Sequence, residues 1–270
     1  MNRLAIHESA AGEVSPTELV DLATETGFDS VGLRVAHSPG AALWWTRGAG
    51  SPELRSMITH LLTSRVSVLD VGRIDLGGAP SGLSGAPSGS DGDGSQRIVL
   101  DLAERLGARY VTAGSSVDAS NGTEVARQWQ SLLADSENYQ VLPLLLPVPG
   151  TPVATAADAM SLVTRFGGGV VLTVSTVLSA FELESQVLET GSRLGYLRLL
   201  AEDLDDLADG DAAGLLATVP VHIPIAVGTA SSSATADLVP RAQRWSRLID
   251  IMLEHPLARA KRLGGGTAGS

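Results

Sequence analysis

A chain of 270 residues with a formal net charge of −11 meets a polyanion with a repulsive average field, which argues against nucleic acid as a partner. There is no cysteine, which excludes disulfides, a thiolate nucleophile and cysteine-held metals, and the only lysine, Lys261, sits in a basic run near the C-terminus, far from any place where Schiff-base or pyridoxal-phosphate chemistry would need it. Hydrophobic residues make up 44% but aromatic residues only 4%, so the core must be packed with Leu, Val, Ile and Ala, as in the layered interior of a barrel.

Short apolar runs alternate with amphipathic stretches about eight times. Leu4 to His7 reads as a strand. Ser15-Pro16-Thr17-Glu18 then starts a helix, with serine as cap, proline at the first position and a carboxylate in the first turn; it stops at Gly27. Val31 to Val35 is a second strand, followed by a loop with His37, Trp44, Trp45 and Arg47. A helix starts at Ser51-Pro52-Glu53 and runs to about Ser64, with Leu54, Ile58 and Leu61 in helical register, and Val66 to Val71 is the third strand. Residues 76–95 repeat Gly-Ala-Pro-Ser-Gly and carry no catalytic residue type, which predicts a flexible surface insertion.

Gln96 to Leu106 reads as a helix, Tyr110 to Ala113 as a strand, Glu124 to Ala134 as a helix and Val141 to Leu146 as a strand closed by Pro147. Thr155 to Phe166 is helical, and Gly169 to Ser175 is a buried strand. Phe181 to Thr190 is helical, Gly195 to Leu200 is the seventh strand, and Asp211 to Ala217 is a short helix. Ile223 to Val227 is the eighth strand, Leu238 to Glu254 the closing helix, and residues 261–270 a disordered tail.

This alternation implies parallel βαβ units, and eight of them in this length imply one α/β domain over residues 1–260, a single (β/α)8 TIM barrel. The competing architecture is an open doubly wound sheet, against which stands the lack of Gly-x-Gly-x-x-Gly after the first strand. No signal-peptide pattern or membrane-length apolar run is present, so a cytoplasmic protein without a membrane partner is expected.

Several segments together resemble the sugar phosphate isomerase/epimerase superfamily, the xylose isomerase-like TIM barrels that also include endonuclease IV and inosose dehydratase types. They are Ser15 to Ala23 with Thr26-Gly27-Phe28-Asp29-Ser30-Val31-Gly32-Leu33-Arg34, then Val68-Leu69-Asp70-Val71, then Leu102 to Val111. The resemblance implies a divalent metal held by a glutamate in a Glu-x-x-Pro phrase, an Asp-x-x-His pair, an acidic pair on strand seven and a final glutamate on strand eight. In this chain those positions fall at Leu144, at Ser175 and Leu178, at Ala201 with Glu202 displaced by one, and at Gly228 or Val227. Hard cations need several converging oxygen or imidazole donors, which these residues do not supply, so neither a metal nor another cofactor is expected.

Sites of such barrels lie at the C-terminal strand ends. His7, Glu8 and Glu202 are the acid and base candidates, His7 first because imidazole titrates near neutrality; the competing reading is a histidine bonded to neighbouring backbone. Arg34, His37, Trp44, Arg73, Ser175 and Arg198 are the substrate-binding candidates. The arginines form either an anion clamp or structural pairs with Asp70, Glu8 or Glu202, and Trp44 either a stacking platform or an apolar plug. Two functions follow. One is a metal-independent isomerase, epimerase or related proton-transfer enzyme on a small, less polar carbonyl substrate; the other is a pseudoenzyme that binds a ligand or supports a partner. A conventional metal enzyme using His7, Glu8, Asp70 and Glu202 is a third. A small-molecule ligand is the expected partner, and a homodimer stays open because no interface signature stands out.

Overall fold

The computed structural model describes residues 4–12, 14–34, 51–77, 93–116, 119, 121–174, 179–208, 212–229 and 237–254. Eight strands, β1 (Leu4–His7), β2 (Ser30–Arg34), β3 (Ser67–Leu76), β4 (Tyr110–Ser115), β5 (Leu142–Leu145), β6 (Gly169–Val174), β7 (Leu194–Leu200) and β8 (Ile225–Gly228), pair in sequence order and close into a barrel. Every pairing is parallel, including the closing one of β8 on β1. The fold is the expected (β/α)8 TIM barrel. The tail 261–270 and most of the 76–95 stretch lie outside the described residues.

Around the barrel run α1 (Glu8–Ala11), α2 (Pro16–Thr26), α3 (Pro52–Ser64), α4 (Asp93–Arg105), α5 (Gly122–Ser136), α6 (Ala156–Phe166), α7 (Ala180–Thr190), α8 (Ala201–Asp206) and α9 (Leu238–Leu253). The caps explain several starts. Ser15 with Glu18, Thr155 with Asp158 and Ser179 with Glu182 each form a reciprocal capping box, which satisfies two otherwise orphaned N–H groups per helix. Helix α2 ends on Gly27 in the left-handed conformation at φ +83°, where a side chain would be strained.

The apolar residues divide into two cores. Between strands and helices lies the larger, including Trp129 on α5 and Trp245 on α9, both fully buried. Inside the barrel, Ala5, Leu69, Tyr110, Leu144, Val171, Tyr196 and Ala226 form a separate plug. Ala5 is level with Ala226, and one alternation further along the same strands stand His7 and Gly228. The plug thus floors the barrel below its polar C-terminal end.

Four local expectations change. Strand β3 continues past Val71 to Leu76, since residues 70–76 pair with β4 despite two residues, Gly72 and Asp75, of low strand preference. The 76–95 stretch is accordingly shorter at both ends, because Leu76 closes a strand and residues 93–95 open α4. The helix expected over 211–217 is, over its described residues 212–217, a run of turns, with Gly214 at φ +77° interrupting helical geometry. Two short helices, α1 and α8, follow directly on β1 and β7 and were not indicated by periodicity.

The helix-to-sheet core gives a direct stability test. Trp129→Ala empties the fully buried position against Gly168, and equilibrium denaturation is expected to show a loss of about 3–5 kcal/mol, against about 1 kcal/mol for the cap variant Ser15→Ala.

Candidate active site at the C-terminal end of the barrel

Strand alternation and the barrel's register bring His7, Asp70, Thr112 and Tyr196 together from four strands. Asp70 is fully buried, and its Oδ2 accepts hydrogen bonds from Tyr196 Oη at 3.1 Å and Thr112 Oγ1 at 3.2 Å, with His7 Nε2 at 3.4 Å. Its Oδ1 has no hydrogen-bond partner among the described residues. Gly32 makes the meeting possible: a Cβ there would fall 2.2 Å from His7 Cδ2 and 2.5 Å from Asp70 Oδ1. Burial, then the charge of Asp70, pushes the Tyr196 hydroxyl well above its usual range, so it stays a donor to the carboxylate.

The other face of the imidazole looks toward α1. His7 Nδ1 lies 3.3 Å from Ser9 Oγ and 3.5 Å from Ser9 N, and Ser9 Oγ in turn accepts the N–H of Thr229 at 3.2 Å. Because Ser9 Oγ accepts from Thr229, its own proton is available for Nδ1, which fits an imidazole protonated on Nε2 and donating to Asp70. The chain Thr229–Ser9–His7–Asp70 therefore runs from the residue after β8 through α1 and β1 to β3. Contacts of 3.3–3.5 Å are long for hydrogen bonds, so either can be exchanged for another partner without a large loss.

Glu8, next to His7, is only 4% exposed. Its Oε2 accepts the backbone N–H of Arg34 at 2.8 Å, tying the end of β1 to that of β2. Burial raises the Glu8 carboxyl above its ordinary value of 4.5, against the opposing pull of the Arg34 N–H, of His7 and of the Arg34 guanidinium. Glu202, in the first turn of α8, accepts a hydrogen bond from Thr229 Oγ1, which brings this carboxylate to the gap between β7 and β8.

The three arginines stand on β2, β3 and β7. Arg34 is lowered from its ordinary value by burial first and then by Arg198, with Arg73 adding to the effect and Glu8 and Asp70 opposing it. Two cations close enough to destabilise a third define one electrostatic site. Among the described residues, the Arg34 guanidinium meets Glu8 and Asp70 only through their charge, and the other two bind elsewhere. Arg73 pairs with Asp75, Nε to Oδ1 at 2.8 Å, and Arg198 Nη2 donates to the Thr229 carbonyl. The structure thus assembles His7, Glu8, Arg34, Arg73, Arg198 and Glu202 around the same strand ends, while His37, Trp44 and Ser175 lie outside the described residues. Sequence reasoning missed Tyr196, Thr112 and Ser9. Tyr196 was legible as the position two before Arg198 on the same strand face, whereas Ser9 lies in the unrecognised helix α1.

No protein-family model matches the sequence, and no curated protein matches it either. Solved structures do. An L-ribulose 3-epimerase superposes with TM-score 0.70 at 14% identity over 100% of both chains. The IolI protein, solved with a zinc atom bound, does so with TM-score 0.63 at 13% identity, covering 93% of this chain and 98% of that one. A xylose isomerase domain protein from Alicyclobacillus acidocaldarius subsp. acidocaldarius gives TM-score 0.60 at 15% identity over 93% and 98%. The barrel is therefore xylose isomerase-like in fold.

The zinc in one of these structures raises the question whether the residues here suit a divalent ion. Leu144, at a position the resemblance assigns to a ligand, is fully buried in the apolar plug. At Gly228, another such position, a Cβ would fall 2.6 Å from Arg198 Nε, so the space of a ligand side chain is taken by a guanidinium. No group of three or more His, Asp or Glu that could share a metal is found among the described residues. These donors do not fit the cation. Ser175 and Leu178 lie outside the described residues.

Glu8 makes the site's pH behaviour measurable. A carboxyl raised in the folded state stabilises the fold fully below its unfolded value, about 4.5, and that contribution is lost as pH rises through the raised folded value. Glu8→Gln, which keeps an acceptor for the Arg34 N–H, is expected to match the wild type in Tm near pH 4 and to exceed it near pH 7. Equal Tm values at both pH values would show that Glu8 ionises freely.

Proposed function

We propose that the chain is a divergent isomerase- or epimerase-type barrel that moves a proton at a carbon next to a carbonyl of a small substrate, using its own side chains in place of a divalent metal. The observation that carries this reading is the placing of Glu8, a buried carboxyl with a raised pKa, beside the half-buried Arg34 guanidinium at the active end of the barrel. A carboxyl raised toward the working pH is a stronger base when ionised and is more readily reprotonated afterwards. The epimerases among the structures of similar fold support the same reaction type.

In this reading the Glu8 carboxylate takes the proton from the carbon, and the electron pair moves onto the carbonyl oxygen. The resulting enolate forms within the field of the Arg34, Arg73 and Arg198 guanidiniums, whose charge is already fixed in a site of restricted solvent access. Returning a proton to the opposite face gives an epimer, and returning it to the neighbouring carbon gives an isomer. In the same reading Glu202, which accepts a hydrogen bond from Thr229, serves as the second acid. His7 takes part by giving up one of its long contacts, to Asp70 or to Ser9, for the substrate.

One observation favours the second reading, a non-catalytic barrel that binds a ligand or supports a partner: both ring nitrogens of His7 already face protein groups. Incubation with a panel of ketoses, ketose phosphates and keto acids in deuterated water, followed by NMR, separates the two. Wild type is expected to incorporate deuterium next to a carbonyl in the presence of EDTA. Glu8→Gln is expected to lower kcat by about 10²- to 10⁴-fold with its fold intact. No incorporation from any substrate would favour the non-catalytic barrel, activity abolished by EDTA would overturn metal independence, and unchanged turnover in His7→Ala would remove His7 from the mechanism.

A further inference from the structure

We propose that the C-terminal end of the barrel binds a small oxyanion, a carboxylate or phosphoryl group, between the guanidiniums of Arg34 and Arg198, with Arg73 at the rim. The proposal rests on the reading of this end as the substrate site and deepens it by naming the substrate's chemical class. Free neutral sugars are then not the ligands; sugar acids, keto acids or phosphorylated carbonyl compounds are.

The geometry starts at Gly228. Arg198 leaves β7 at the level of Ala226, and its Nε reaches to 2.6 Å from where a Cβ of residue 228 would stand. Its Nη2 donates to the carbonyl of Thr229. The guanidinium is thereby anchored through Nη2, and it makes no other hydrogen bond among the described residues. Any side chain at 228 would displace it. The glycine thus makes room for a cation in the space where the resemblance places an anionic metal ligand.

Arg34 closes β2, where it is level with Gly72, so Arg73 on the adjoining strand follows immediately. Arg73 lies over Gly114, whose absent side chain leaves 3.1 Å between an ideal Cβ and Arg73 Cδ. The nearby carboxylates are occupied: Asp75 by Arg73, Asp70 by Tyr196, Thr112 and His7, Glu8 by the backbone of Arg34, and Glu202 by Thr229. Arg198 and Arg73 both act on Arg34, against the opposing charges of Glu8 and Asp70, and an entering oxyanion would add a further counter-charge among the guanidiniums.

Isothermal titration calorimetry on the full chain with inorganic phosphate and with malonate, against sodium chloride at equal ionic strength, reads this without any turnover. Saturable binding of at least one of the two is expected, and which one binds assigns the group as phosphoryl or carboxylate. Arg34→Gln is expected to weaken that binding by about tenfold or more, the loss of one charge-assisted contact. Arg198→Gln should do likewise, and Arg165→Gln, on the outer helix α6 over Phe166, should not. Should Arg198→Gln fail to fold, Arg34→Gln alone decides. No binding beyond chloride by the wild type, or wild-type binding in Arg34→Gln, overturns the proposal. Because binding is read separately from deuterium incorporation, an anion site in a protein without turnover would sink only the catalytic reading.

Discussion

The buried carboxylate of Asp70 is the constraint around which the interior is arranged. A charged group with no exposure must be compensated, and here the compensation comes from Tyr196, Thr112 and His7, residues on three other strands. These contacts fix the imidazole plane, keep the tyrosine protonated and set the level at which the apolar plug gives way to polar groups. The glycines follow from the same constraint. Gly32 leaves the space in which His7 and Asp70 meet, and Gly72 leaves room for Thr112, since a Cβ there would fall 1.8 Å from its Oγ1.

Above that layer the electrostatics change sign. Arg34 at the end of β2, Arg73 within the extended β3 and Arg198 near the end of β7 act on one another in a protein whose overall charge would repel anions, so the cluster is a local exception maintained by the fold. Arg198 is the most informative of them because it fills the volume that Gly228 vacates.

Much of the fold was legible in the amino-acid order because it depends on local chemistry. The alternation of short β-branched runs with capped amphipathic helices indicated all eight strands, and Ser15 and Thr155 marked helix starts that the structure places one residue later, while the helix expected from Phe181 begins at Ala180 behind its cap Ser179. What was misread depended on neighbours. The extension of β3 to Leu76 exists because β4 pairs with it, and the short helices α1 and α8 are too brief for periodicity to reveal. His7, Glu8, Arg34, Arg73, Arg198 and Glu202 could be named from their places after strands, but not their partners: Arg73 turned to Asp75, two residues away, and Arg198 to a backbone carbonyl.

The sequence by itself determined the (β/α)8 class, the exclusion of cysteine and lysine chemistry, and the apolar or glycine character of Leu144 and Gly228, since these follow from composition, period and residue type. Only the tertiary structure decided which side chains meet. Asp70 finds His7 across 63 positions, Thr112 across 42 and Tyr196 across 126, and the bulges at Val31/Gly32, Gly72/Ile74 and Val170/Val171 set the strand offsets around the barrel. A register shift of one residue turns a strand's side chains to the opposite face, so convergence at this site is a property of the closed barrel and of no single segment.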